Sequence, residues 1–132
     1  MTAKTKTFLC LCTYEEAAFK TWTPADHAAV VQACTPHDEA LRATGKVLIN
    51  ASLSEPETAC VIRGGERGPV VTRGPYAATP EPVGAMFLVQ AADLDEAVRI
   101  ASLHPAVNVP QFTVMKGGIE VREVGHFELQ AP

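Results

Sequence analysis

Apolar residues fill both alternating faces of Thr7–Thr13 (TFLCLCT) and of Gly84–Ala91 (GAMFLVQA), the pattern of strands covered on both sides. Between them the period changes. Tyr14–Thr21 reads as a loop or short helical turn, and a helix then starts at Thr23, a good cap followed by Pro24 and Asp26. The same Thr-Pro-x-Asp pattern recurs at Thr35, Pro36 and Asp38, so the helix is expected to break or kink there and restart, ending before Gly45. Lys46–Leu53 and Thr58–Arg63 read as strands joined by a Ser54–Glu57 turn, and Gly64–Gly68 makes a hairpin into a short strand, Pro69–Arg73. Asp93 and Glu96 form a capping box whose helix runs to about Leu103, with Leu94, Ala97, Val98 and Ala101 expected on its buried stripe. Phe112–Met115 and Ile119–Val124 read as strands around Lys116-Gly117-Gly118.

The stretch Arg73–Val83 (RGPYAATPEPV) is the stiffest part of the chain. Three prolines fix φ at three points and remove three donors, while Gly74 permits a left-handed turn before Pro75. A loop this long and rigid is expected to shape a pocket or an interface.

The order β-α-β-β-(β)-α-β is that of an α+β, ferredoxin-like split βαβ fold, one domain over residues 1–132. Two helices cover one face of such a sheet. The first strand and Gly84–Ala91 are apolar on both faces, so the second face is expected to meet another copy of the chain, giving a homodimer. Composition narrows the function further. The net charge is −4 and no Lys/Arg cluster stands out, so the footprint of a nucleic-acid binder is absent. The longest apolar run near the N-terminus, Phe8–Cys12, is too short for a signal core or a membrane span. A cytoplasmic protein with reduced thiols is the expectation.

The motifs in order resemble those of the YCII-related family, DGPF subgroup. They are the Phe8-Leu9-Cys10-Leu11 opening, Tyr14-Glu15-Glu16, and Glu39–Gly45 (EALRATG). Next come Arg73-Gly74-Pro75-Tyr76 where the subgroup has Asp-Gly-Pro-Phe, Asp93–Ala97 followed by His104-Pro105, and Ile119–Arg122. The likeness spans Thr7 to about Val124. It implies a ferredoxin-like protomer that pairs into a dimeric α/β barrel, with a His/Asp dyad in the barrel. By spacing, the family's His falls on Cys34, its Asp on His104, and the signature Asp on Arg73. Three acid/base positions thus hold different chemistry, which argues against a standard His/Asp mechanism.

Several side chains are candidates for a site. On a continuous helix Cys34, His37 and Leu41 would share a stripe with Val30, and an imidazole beside a thiol activates it; a buried inert thiol is the alternative, with Pro36 turning His37 away. His104 ends the second helix, where it serves the helix dipole or acts as an acid/base. Arg73 and Tyr76 flank the Gly-Pro turn and suit an anion clamp and a pocket cap, or else a cross-dimer ion pair and simple packing. Cys10 and Cys12 share one side of a strand, but no CxxC or His-spaced set accompanies them, so no metal or cofactor is expected. Trp22 reads as a hydrophobic staple.

Two functions fit these residues. One is a non-catalytic small-molecule-binding or regulatory homodimer. The other is a small lyase- or isomerase-type enzyme on a compact aromatic or dicarbonyl-like substrate, with Cys34 or His104 as acid/base and Arg73 as anion clamp.

Overall fold

The doubly apolar N-terminal segment forms β1 (Lys6–Thr13) and lies inside a sheet, paired antiparallel on one side with β5 (Val83–Ala91) and on the other with β6 (Gly118–Glu123). The computed structural model describes residues 4–130. β2 (Val47–Ser52) pairs with the far side of β5, so the sheet order is β2-β5-β1-β6. With the hairpin β3 (Cys60–Gly65) and β4 (Gly68–Arg73) set aside, this is the antiparallel order of the split βαβ plan. The fold is α+β and compatible with the ferredoxin-like expectation.

Alternation sorts the sheet residues between two faces. Phe8, Cys10 and Cys12 pair with Val89, Phe87 and Ala85, and all point to the helical side, where the core forms. α3 (Leu94–Ala101) closes that core with Ala97, Ile100 and Ala101. The expected stripe is therefore turned by about one residue, and Leu94 and Val98 stay exposed at the rim, since the small alanines let the helix sit close to the sheet. Asp93 caps α3 through the Glu96 N–H at 2.9 Å, while the Glu96 carboxylate reaches back to the Ala92 N–H at 3.2 Å.

α1 (Glu16–Phe19) is the short turn expected after β1. α2 (Pro24–Ala43) departs from expectation, because it runs unbroken through Pro36. A reciprocal capping box between Thr23 and Asp26 starts it, and the Glu39–Ala43 run of strong helix formers carries it past the proline. The lost bond falls at Pro36 on an exposed flank, where Thr35 Oγ1 donates to the Val31 carbonyl at 3.3 Å. Only Val30 and Leu41 of this helix are buried. It approaches the 3-10 turn Pro105–Val107 and joins the sheet's core through Leu41.

Two further corrections concern strands. Phe112–Met115 is not a strand: α4 (Pro110–Val114) occupies it, with Pro110 at the first helical position and Thr113 Oγ1 donating to the Pro110 carbonyl at 2.8 Å. A four-residue segment such as Phe-Thr-Val-Met is too short to show a period that separates helix from strand. The hairpin expected at Gly64–Gly68 forms and β3 pairs with β4, but Thr58 belongs to a 3-10 turn (Pro56–Thr58) and the two strands make a separate ribbon inserted between β2 and β5. Ile62 and Val71 face one another on this ribbon and both remain exposed.

Phe8 and Phe87 are fully buried at the centre of the sheet. Phe8→Ala is expected to lower the unfolding free energy by about 3–5 kcal/mol, and Ile62→Ala on the ribbon by under about 1 kcal/mol, measured by urea denaturation.

Candidate functional site

The gap beneath α2 is a cavity of about 500 Å³. Its roof is a single stripe of α2, with Cys34, Asp38 and Arg42 at i, i+4 and i+8. Its floor is the cross-strand pair Cys12 and Ala85, with Asn50 on β2 beside them. His104 and Ala106 form one end, and Tyr14, Phe19 and Phe112 stand around the rest.

His104 is held on three sides. It precedes Pro105, which keeps its backbone extended (φ −65°, ψ 143°) and lets its side chain cap the following turn. Its Nδ1 accepts the Ala106 N–H at 3.0 Å. Its carbonyl accepts from Asn108 Nδ2 at 2.8 Å. The ring lies flat on Phe87, with centroids 4.7 Å apart and planes 6° from parallel. An Nδ1 that accepts a backbone N–H carries no proton, so in the neutral ring the proton sits on Nε2. Nε2 has no partner among the described residues and is not sealed from solvent, although the residue as a whole is only 9% exposed. What remains open faces the cavity.

Electrostatics fix the protonation of the neighbours. Burial pushes His104 below its ordinary value near 6.5, and the Asp38 carboxylate works weakly in the opposite sense. Burial raises the Cys34 thiol, and Asp38 raises it further, so at neutral pH it is a thiol and not a thiolate. Burial also pushes Cys10 to about 11 and Cys12 to about 12, which makes both inert.

The proline-rich loop reaches the cavity indirectly. Gly74 takes the positive φ (108°) expected of it, and its N–H donates to the Ala59 carbonyl at 2.7 Å. Farther along, the Pro82 and Pro80 carbonyls accept from the Tyr14 and Glu16 N–H groups at 3.2 and 3.1 Å. This clasp sets the Tyr14 ring over Gly84, where any Cβ would lie 2.6 Å from Tyr14 Cε1. Phe19 stacks edge-on against Tyr14 at 5.4 Å, and Trp22 lies 5.9 Å from Phe112. Trp22 also meets His27 at 5.3 Å, the N′ to N4 contact of a staple.

A family model for the YCII-related domain matches residues 7–128, nearly the whole chain. The chain belongs to the YCII-related family. None of the curated proteins matches it, and no helix among the described residues is long and apolar enough to cross a membrane.

Of the candidate residues in this YCII-related protein, Cys34 and His104 share the cavity. His37 lies outside its lining although it is half-buried on α2, and Asp38 takes the place expected of it. Arg73, at the end of β4, and Tyr76, 81% exposed, also lie outside the lining. Asp38, Arg42 and Tyr14 are the residues that the sequence reading passed over. The helical spacing from Cys34 contains the signal for Asp38 and Arg42, and the expected break at Thr35 hid it.

Because burial depresses the His104 pKa, the unfolded chain takes up this proton first as pH falls. Its contribution to stability is therefore complete above the ordinary value near 6.5 and is lost as pH drops from there toward the lower folded value. Thermal melts are expected to show a falling midpoint below about pH 6.5, and His104→Asn, whose Oδ1 replaces Nδ1 as cap, is expected to flatten that slope. Gly84→Ala is expected to displace the Tyr14 ring, read as a change in tyrosine fluorescence or in Tyr14 ring NMR shifts.

Proposed function

We propose that this protein is a non-catalytic small-molecule-binding or regulatory homodimer whose ligand occupies the cavity under α2. The observation that carries this reading is the protonation of the two reactive groups that line it. Cys34 is held as a thiol, and His104 Nε2 already bears a proton. A lyase or isomerase using either one as a base would first have to remove that proton, or break the Ala106 N–H bond to free Nδ1. Size and lining fit a ligand. About 500 Å³ suits a compact organic molecule, and Phe19, Phe112, Met115 and Ala85 supply apolar wall beside a few polar groups.

The dimer rests on the other face of the sheet. Leu9 with Leu88, and Leu11 with Met86, point away from the helical core, and β2 continues the patch through Ile49 and Ala51. Glu120 and Arg122 of β6 edge it with charge. An apolar sheet face of this kind matches a face-to-face partner, and two such protomers would make the dimeric α/β barrel.

Two measurements test these proposals. A thermal-shift screen of small carbonyl compounds, carboxylates and phenols is expected to give hits that disappear in Cys34→Trp, which fills the cavity; hits that survive in that variant would place the ligand elsewhere. Sedimentation at micromolar concentration is expected to show a dimer, and Leu11→Glu a folded monomer. A wild-type monomer would sink the homodimer.

A further inference from the structure

We propose that the cavity recognises a neutral carbonyl compound, whose oxygen accepts a hydrogen bond from His104 Nε2–H. This rests on the reading of the cavity as a ligand pocket and goes on to name the chemistry it selects. The argument begins from the locked imidazole. Its Nδ1 is committed to the Ala106 N–H at 3.0 Å and its ring is fixed flat on Phe87, so the group can offer the cavity one thing, an N–H donor of set direction. Nε2–H has no partner among the described residues and opens to the cavity, so a ligand that fills the space and offers no acceptor there strands this donor, whereas a ligand oxygen pairs with it. The site therefore discriminates for an acceptor at this point.

The acceptor's charge follows from what surrounds it. Asp38 and Glu55 line the cavity, and the Glu16, Glu55 and Glu57 carboxylates gather near the Tyr14 hydroxyl, raising its pKa after burial does. Arg42 is the cation of the lining, one helical turn from Asp38 on the same stripe, and stands against the two carboxylates of Asp38 and Glu55. A carboxylate ligand would add a negative charge to a lining in which Asp38 and Glu55 already outnumber Arg42. A neutral carbonyl takes the same hydrogen bond without that repulsion, and its apolar body meets Phe112 and Met115.

Three probes of similar shape separate these terms: acetophenone with a neutral acceptor, benzoate with an anionic one, and ethylbenzene with none. Binding to the full-length protein is followed by ligand-observed NMR, and the His104 ring nitrogens by 15N correlation spectra at neutral pH. Acetophenone is expected to bind about five- to tenfold more tightly than ethylbenzene, the effect of one hydrogen bond, and more tightly than benzoate. The preference over ethylbenzene is expected to vanish in His104→Asn, which keeps the cap acceptor but lacks a donor at the ε position. It is expected to return in part in His104→Gln, which restores a donor there. Benzoate binding as well as or better than acetophenone overturns the proposal, as does a proton found on Nδ1, or a preference untouched by His104→Asn. Failure of all three probes also overturns it, while the ligand-pocket reading is judged separately by the loss of screening hits in Cys34→Trp.

Discussion

A twenty-residue helix that buries two side chains is the constraint on which this structure turns. Val30 and Leu41 pin α2 at points eleven residues apart, roughly 16 Å along its axis. Between them the helix is a beam across a gap, and the residues that face down, Cys34 and Asp38, meet open space in place of packed sheet. Most of the helical packing on the sheet comes from the shorter α3, whose two alanines allow close approach, with Leu41 the contribution of α2. The cavity is thus a product of uneven burial: one helix seals the core and the other spans it.

His104 couples that space to the core. Phe87, fully buried at the centre of β5, is the surface on which its ring lies, and the 3-10 turn that follows supplies the backbone N–H to Nδ1. The orientation of a polar group in the cavity is therefore set by a fully buried core ring and by a backbone N–H of the adjoining turn. Local chain chemistry produces this economically, because the residue before a proline is already extended and its side chain is free to cap.

Much of this was legible in the chain. Strands apolar on both alternating positions stood where β1 and β5 lie, and the caps at Thr23 and Asp93 mark true helix starts. Cys34 and His104 were both singled out, and they share the cavity. Asp38 and Arg42 were missed because Pro36 signals a break by local rules, whereas the surrounding helix formers and an exposed flank let the helix absorb the lost bond. Phe112 was misassigned because so short a segment shows no period, and only Pro110 distinguishes it. Arg73 and Tyr76 drew attention through the stiffness of their loop. That stiffness acts at its other end, where Pro80 and Pro82 hold the backbone of Tyr14 and Glu16.

The ribbon of β3 and β4 occupies a particular position in the connectivity. It leaves the sheet after β2 and returns before β5, and those two strands are paired with each other, with the Leu53 N–H bonded to the Gly84 carbonyl at 2.8 Å. The excursion thus begins and ends at one place on the sheet. Loop-closure entropy changes slowly with length, so the chain between these points is free to lengthen, shorten or change character without disturbing a single pairing of the four-stranded sheet, provided the Pro80 and Pro82 clasp stays. The ribbon is thus an appendage to the four-stranded sheet, and of the excursion that carries it Leu53 and Glu55, at its start, reach the cavity.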